Sequence, residues 1–400
     1  MRVIFKSLLT DSAGRLIPQI IQLLMSIYFA RILPVEAFGQ LAFLVSASAI
    51  AQTIAEFNLP NFIVYNQSYG GINRYLIISS SIYLVLASIA IISFEEILQF
   101  WWFIIFFGLL NLLLNYIRSV YYLKSMIFAF NSRFVISVTF SSIVFYLIGL
   151  KFNDSALILI YNLFSLSIMT LVSIKNILTS EKERENILYL TQKEIEYIKG
   201  FYFANLFNVA GSNAENIVLK KLIGVSSLGF FNRAKSIESI ATTSGLQSMS
   251  YVFFSKLSEF NLHENSAGQK QQISLALLLF CLLGLMFGIF IYFFGPLLVL
   301  FVYGEDYKSS SELVRLLAFI VPTQFLYTWL NMVLSVKGKG VFFAKINVIK
   351  TFLLMASLIS LIYFRLEYYI VVYSLVFFLL TFSSVLIYFL VHHESHTQNK

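Results

Sequence analysis

Uncharged apolar runs alternate with short polar connections from one end of the chain to the other. A helix that crosses a bilayer needs about 20 mostly apolar residues. Runs of that kind occupy 12–33, 37–57, 75–94, 97–117, 134–150, 155–174, 200–222, 234–255, 272–294, 312–336, 346–364 and 368–391. The pattern predicts an all-α polytopic membrane protein of about twelve transmembrane helices, with no soluble domain appended. The seventh and eighth runs are the least apolar, because charges and many Asn, Ser and Thr residues interrupt them. Between the sixth and seventh, Glu181, Lys182, Glu183, Arg184 and Glu185 precede Ile187, Leu188, Ile195 and Ile198, which reads as an amphipathic linker over 181–198. The expected organisation is a six-helix lobe at 1–180, that linker, a second six-helix lobe at 199–391 and a tail at 392–400.

Twelve spans put both termini on one side, and loop Lys and Arg residues orient them. With the termini inside, 18 basic residues fall on the cytoplasmic side and 9 on the other, with Lys350 inside a span. The bias predicts that both termini are cytoplasmic. Four of the nine dissenters, Lys220, Lys221, Arg233 and Lys235, cluster around the two least apolar spans.

Composition agrees and narrows the class. The chain of 400 residues is 58% hydrophobic and 12% charged, about half the charge of an average soluble protein. A cytosolic enzyme, a secreted disulfide scaffold and a disordered chain are excluded, and an outer-membrane barrel would alternate polar and apolar residues. The net charge of +8 is explained by loop orientation before nucleic acid is invoked. The lone Cys281 lies in an apolar run, which leaves no disulfide or thiolate metal site. His392 and His396 have helical spacing but belong to the tail. No cleaved signal peptide is read at the N-terminus. No phosphate-cradling glycine loop, Ser/His/Asp arrangement, HExxH motif or carboxylate pair occurs at a plausible site, so neither a catalytic centre nor a cofactor or metal is expected.

An offset of 190 residues aligns RILPVEAFG (31–39) with KLIGVSSLG (221–229). Val35 meets Val225, Gly39 meets Gly229, and Arg31 meets Lys221; further on, Ser46, Ile50, Ala51 and Thr53 meet Ser236, Ile240, Ala241 and Thr243. The offset equates spans one and two with seven and eight, as a 6+6 duplication requires, and predicts parallel repeats about an axis along the membrane normal.

Polar residues recur at helical spacing in those same four spans. Arg15, Gln19, Gln22 and Ser26 share one face of the first, and Ser48, Gln52 and Glu56 one face of the second. Asn205, Asn208, Ser212 and Glu215 line the seventh; Ser236, Ser239, Thr243, Gln247 and Ser250 line the eighth. Such faces must meet protein or water rather than lipid. Ser and Thr commonly join helices to one another, whereas Arg15, Gln22, Asn208 and Glu215 point to a hydrated central cavity between the lobes. Around it, Arg15, Arg31, Lys220, Lys221, Arg233 and Lys235 outnumber Glu56, Glu215 and Glu238, a balance suited to a phosphate- or pyrophosphate-bearing passenger. Glu56 and Glu215 are the candidates for ion coupling. Pro18 and Pro322 are expected to kink their spans, and Gly284 with Gly288 forms a GxxxG packing step.

The segment RILPVEAFGQLAFLVSASAIAQTIAEFNLPNFIV (31–64) resembles the opening of the polysaccharide-transporter, or O-antigen flippase (Wzx-like), family. LGFFNRAKSI (228–237) is similar to that family's Leu-Gly-x-Tyr-x-x-Ala turn, with Phe231 where Tyr is usual. FGPLLVLFVYGEDYKSSSELVRLLA and VLSVKGKG resemble its later motifs. The resemblance implies the multidrug/oligosaccharidyl-lipid/polysaccharide exporter superfamily: two six-helix lobes around a central cavity, working by alternating access and not an enzyme. The implied passenger is an oligosaccharide on undecaprenyl pyrophosphate, an O-antigen repeat unit of lipopolysaccharide biosynthesis, moved from the cytoplasmic to the periplasmic leaflet. Arg15, Lys220, Arg233 and Lys235 would hold the pyrophosphate. The implied partners are this lipid-linked oligosaccharide, membrane lipids, a polysaccharide polymerase and a chain-length regulator, with no nucleic acid. Two rivals stand beside it: an integral membrane O-antigen polymerase, and a multidrug or lipid-II type exporter of the same fold. The first needs a long periplasmic loop, and the second favours acidic cavity residues.

Overall fold

The computed structural model describes residues 2–57, 72–123, 126–151, 154, 156–178, 192–262, 266–337, 339–363 and 365–397, and among them there is no strand. The helices are α1 (Arg2–Ile32), α2 (Val35–Glu56), α3 (Ile72–Ser93), α4 (Trp101–Leu123), α5 (Ile127–Gly149) and α6 (Ala156–Leu178). A helical stretch over Gln192–Leu262 follows, broken at Gly224, and we number its parts α7 (192–223) and α8 (225–262). The chain continues through α9 (Ser266–Tyr303), α10 (Lys308–Leu317), α11 (Ile320–Val336), α12 (Gly340–Tyr363) and α13 (Leu366–Thr397).

Eight of the described helices are long and apolar enough to cross a membrane, and the pair α10–α11, bent by 51°, makes a ninth span. The remaining three of the twelve expected spans fall on α1, where Ile17–Ile32 is an apolar helical segment, and on the two halves of the broken stretch. These three and α2 are the helices whose sequence carries the polar stripes.

The chain forms two compact units, Met1–Gly229 and Phe230–Lys400. In the first, α1 packs on α5, α4 on both α2 and α6, α5 on α6, and α3 on α2 and α4. Serine–tyrosine pairs join these helices at depth: Ser48 with Tyr83 at 3.0 Å, Ser79 with Tyr116 at 3.0 Å, and Ser142 with Tyr161 at 3.2 Å. A buried hydroxyl without a partner costs about 1–3 kcal/mol, so these pairs fix helix register in a way apolar contacts do not. In the second unit α9 packs along α10 and α11, and α13 packs on α11 and α12. Gly284 and Gly288 meet the start of α11 at Pro322 and Phe325, as the GxxxG step predicts.

The outward faces are apolar. Ile77, Val85, Ile89 and Ile92 on α3, Leu278, Leu282, Leu285, Ile289 and Phe293 on α9, and Phe378, Leu379 and Phe382 on α13 are all exposed. Contiguous apolar faces of this extent belong against lipid.

One expected kink is relocated. Pro322 stands in the first turn of α11, just past the bend, where its missing N–H breaks no helical hydrogen bond. Pro18 lies inside α1 as expected, and Pro296 inside α9 is a further interior proline.

Candidate functional site

Within the first unit, α7 lies antiparallel along α2, and polar contacts run the length of the pair. At one end the Tyr202 hydroxyl donates to the Ile54 carbonyl at 3.4 Å and its ring stacks on Phe57 at 5.4 Å. Midway, Asn216 Nδ2 donates to Ser46 Oγ at 2.8 Å. One turn further, the buried Lys220 ammonium sits 3.6 Å from the centre of the Phe43 ring. Past the end of α7, Ser226 Oγ in the first turn of α8 donates to Glu36 Oε1 at 2.6 Å.

That last end carries the internal repeat. The α1–α2 hairpin turns at Pro34, in extended backbone at the N-cap of α2. The α7–α8 break is at Gly224, with φ 85 and ψ 170, a conformation reserved in practice for glycine. Pro34 and Gly224 are equivalent under the 190-residue offset. Each breaks a helix pair by its own chemistry, proline through a fixed φ and a missing donor, glycine through access to positive φ. The two tips meet reciprocally. A Cβ on Gly39 would overlap the Val225 carbonyl oxygen, and a Cβ on Gly229 would overlap that of Val35. Val35 corresponds to Val225 and Gly39 to Gly229, so the two contacts are one contact repeated by a local two-fold relation. Glu36 and Ser226 are also equivalent positions, and they touch each other, as only residues at the axis can.

The opposite face of α2 serves another purpose. Ser48, Gln52 and Glu56 turn toward α3 and α4 rather than toward α7. Ser48 meets Tyr83, whose hydroxyl donates to the Ile104 carbonyl at 2.5 Å. Glu56 Oε1 accepts from Gln52 Nε2 at 2.6 Å and from Asn115 Nδ2 at 2.8 Å. The carboxylate is thus held inside the helix bundle of the first unit by two amide donors.

Residues 28–312 match the family described as polysaccharide biosynthesis protein, a match covering well over half of the chain. The chain belongs to that family. No curated protein matches the sequence. Among solved structures, an aspartate-to-asparagine mutant of the Vibrio cholerae MATE transporter VcmN is similar over 98% of each chain, with TM-score 0.65 and 11% identity. A Pyrococcus furiosus MOP superfamily transporter, reported with reversed binding-pocket polarity, is similar over 95% of this chain and 94% of that one, with TM-score 0.65 and 11% identity. An inward-facing multidrug-resistance MATE transporter is similar over 92% and 93% respectively, with TM-score 0.62 and 12% identity. The likeness shows the fold: a multi-pass all-α membrane protein with twelve membrane helices in two six-helix lobes.

The family member's predicted site residues divide between the two units. Lys220, Gln22, Asn208, Glu56 and Glu215 belong to the first; Arg233 and Lys235 belong to the second. The side chain of Arg15 lies outside the described residues, as does the linker's charged stretch at 181–185. On α1, Gln22 is exposed. The exposed apolar residues Ile17, Ile20 and Leu24 stand roughly half a turn around from Gln19, Gln22 and Ser26, at about 100° per residue. α1 therefore exposes two opposed faces, one suited to lipid and one to water. Asn208 is half-buried, Ser212 is exposed, and Glu215 is buried, so the stripe on α7 passes from open to enclosed along its length. Arg233 stacks on Tyr303 at 5.6 Å and Lys235 on Phe231 at 5.4 Å.

Two groupings escaped the sequence reading. Asn115 partners Glu56 across 59 residues, and its only local signal was the pair Asn111 and Asn115 in an otherwise apolar helix. In the second unit Lys350 lies 4.4 Å from the Tyr327 ring centre and 4.9 Å from that of Phe377, while the Tyr327 hydroxyl donates to the buried Asn347 Oδ1. Lys350 stood out in the sequence as a charge within a span, but its ring partners are on other helices.

Proposed function

We propose that the protein is a flippase that moves an undecaprenyl-pyrophosphate-linked oligosaccharide, an O-antigen or related polysaccharide repeat unit, from the cytoplasmic to the periplasmic leaflet of a bacterial inner membrane. One conjunction carries the reading: membership of a polysaccharide biosynthesis family combined with the fold of exporters. A polysaccharide pathway needs its lipid-linked intermediate to cross the bilayer, and an exporter fold is the device for crossing.

Under this reading both termini are cytoplasmic, and the lobes at 1–180 and 199–391 alternate access to the passenger. The water-suited face of α1, with Arg15 and Gln22, and the Asn208 stripe on α7 contact the glycan and its pyrophosphate. Arg233 and Lys235 add positive charge from the second unit. Lys220, seated on Phe43, acts by holding α7 to α2. Glu56 and Glu215 serve ion coupling. The cationic surplus suits an anionic passenger as acidic residues would suit a cationic drug, and a transporter of similar fold is described with reversed binding-pocket polarity.

The test is deletion of the gene followed by analysis of lipid-linked glycan. Single unpolymerised units confined to the cytoplasmic leaflet are expected. Units accumulating on the periplasmic side would instead identify a polymerase and sink the proposal.

A further inference from the structure

Helix α2 ends on a strained residue. Phe57 closes it at φ 49 and ψ 27, in the left-handed region, and is the only non-glycine residue with positive φ among those described. Helices commonly end in that conformation, but with glycine or asparagine in the position, because a bulky side chain there is strained. Strain of this kind persists only where neighbours hold it, and it gathers at ligand-binding sites. Tyr202 on α7 is the neighbour that holds Phe57. Its hydroxyl donates to the Ile54 carbonyl, in the last turn of α2, where carbonyls have no donor within the helix. The Phe57 ring lies on the Tyr202 ring at 5.4 Å and 30°. The left-handed turn thus lays Phe57 on a fixed backing and leaves it 38% exposed.

Ending the helix does not require this ring, since glycine takes the same backbone without strain. An aromatic belt at the membrane interface does not require it either, because an ordinary helical position supplies a ring there. Phe203 is such a position, 47% exposed and in regular helix on α7. The polar groups beside Phe57 say what the ring is for. Asn205 is one turn along α7 from Tyr202, on the same side of the helix. It is half-buried, and its amide makes no hydrogen bond to any described residue. Glu56, the residue before Phe57, is half-buried, and both of its amide donors converge on Oε1, so Oε2 accepts none from the described residues.

An open aromatic face bordered by an unbonded amide and an unbonded carboxylate oxygen suits a sugar ring. A pyranose has a face of C–H bonds, whose slight positive charge meets the negative face of an aromatic ring, and a rim of hydroxyls. An amide donates and accepts, as those hydroxyls do. A polyprenyl or acyl chain would use the aromatic face alone and leave both polar groups without partners.

We propose that Phe57, backed by Tyr202 and flanked by Asn205, is a stacking platform for a sugar ring at the end of α2. The assignment of that sugar to the passenger rests on the flippase reading, under which this end of α2 is cytoplasmic and the glycan loads there. The platform itself rests on the geometry of Phe57 and its neighbours.

The test is saturation-transfer NMR on the purified full-length protein in a polyoxyethylene detergent, which carries no sugar. The probes are the methyl glycosides of glucose, galactose and N-acetylglucosamine, with farnesol as a separate lipid probe. Saturation is expected at the ring C–H protons of the glycosides. Phe57→Leu keeps apolar bulk without an aromatic face and should weaken glycoside binding by about fivefold, whereas Phe57→Tyr should retain it. Asn205→Leu should weaken it by about threefold, the loss of one hydrogen-bonding group. Phe203→Leu removes an exposed ring about 160° around α7 from Asn205 and should leave it unchanged. Phe57→Gly separates platform from scaffold: it removes ring and strain together, so binding should be lost while the unfolding temperature holds or rises. If Phe57→Gly is not recovered folded, Phe57→Leu against Phe57→Tyr carries the test. Glycoside signal that is absent, equal in Phe57→Leu and the unaltered protein, or lost equally in Phe203→Leu overturns the proposal. Farnesol binding that depends on Phe57 where glycoside binding does not would make the ring a lipid contact and also overturns it. Flipping is not measured in this assay, so its failure leaves the flippase reading standing, and failure of the glycan analysis leaves the platform standing.

Discussion

Alanine at Gly39 tests the reciprocal contact of the two hairpin tips. The added methyl would overlap the Val225 carbonyl oxygen and lie 3.0 Å from both Val225 C and Val225 Cγ1. The obstructing atom is helical backbone, which cannot swing aside as a flexible side chain can, so the tips must part. Overpacking of this kind costs about 1–3 kcal/mol. The greater helix propensity of alanine does not offset this, because α2 is helical whether the tips are joined or parted. A cost of about 2 kcal/mol lowers the ratio of joined to parted tips by about thirtyfold. The axial pair supplies the assay. With Cys281→Ser removing the native thiol, Glu36→Cys and Ser226→Cys should cross-link readily, since the native oxygens are 2.6 Å apart. Adding Gly39→Ala should slow the cross-link by an order of magnitude. Gly229→Ala, which meets Val35 Cγ1 at 2.7 Å, should slow it similarly. The two together should fall short of the sum of their effects, because tips already parted by one methyl have room for the other. An unchanged cross-linking rate in both single variants would refute the reciprocal contact.

Other substitutions probe separate parts of the molecule. Gly224→Ala meets no neighbouring atom but must adopt φ 85 and ψ 170, so its cost of about 1–3 kcal/mol is purely backbone strain and should lower the unfolding temperature in detergent. Tyr83→Phe removes the hydroxyl that joins Ser48 to the Ile104 carbonyl, with an expected loss of about 1–3 kcal/mol in thermal or denaturant unfolding. Glu56→Gln keeps the shape beside Gln52 and Asn115 but removes the charge, and should abolish any proton or sodium dependence of flipping in vesicles while the protein remains folded. Persisting ion dependence would exclude Glu56 from coupling. Lys350→Met keeps a flexible chain over Tyr327 and Phe377 and loses the cation, which should cost about 0.5–2 kcal/mol. An unchanged unfolding midpoint would show that the rings contribute nothing to the lysine.

What the sequence could express was whatever repeats at short range. Apolar runs mark the spans because every lipid-facing turn must be apolar, and Ile77, Val85 and Ile89 are legible for that reason. The duplication was legible because Val35, Gly39 and their equivalents are constrained by the same contact twice over. Partners distant along the chain were not legible. The stripe of Ser48, Gln52 and Glu56 announces a polar face, but nothing local says that the face meets Tyr83 and Asn115 rather than water. Gly224 looked like one glycine among 18, and only its register with Pro34 distinguished it. The stacking of Arg118 on Phe130 and of Arg133 on Tyr121 needs α4 and α5 to be seen at once, so charge counting alone assigned both arginines to loop orientation.

The pair at the axis explains why a fused duplication is useful here. In a symmetric dimer of identical halves, a residue on the two-fold faces its own copy. Two glutamates so placed would repel, and two serines would form only a neutral hydrogen bond. Joining the halves in one chain lets equivalent positions diverge, and the axis then holds Glu36 against Ser226 in a charge-assisted contact at 2.6 Å. The positions around it, where each residue faces a different one, have no such conflict and keep the same residues, Val35 with Val225 and Gly39 with Gly229. The same logic makes Ser226→Glu a sharp test. It restores the like-charged pair that symmetry would impose, leaves every glycine contact intact, and should part the tips at high pH while permitting them to join once one carboxyl is protonated. Tips that stay joined at all pH values, read by cross-linking at a neighbouring pair, would show that the glycine contacts dominate and that the axial hydrogen bond is incidental.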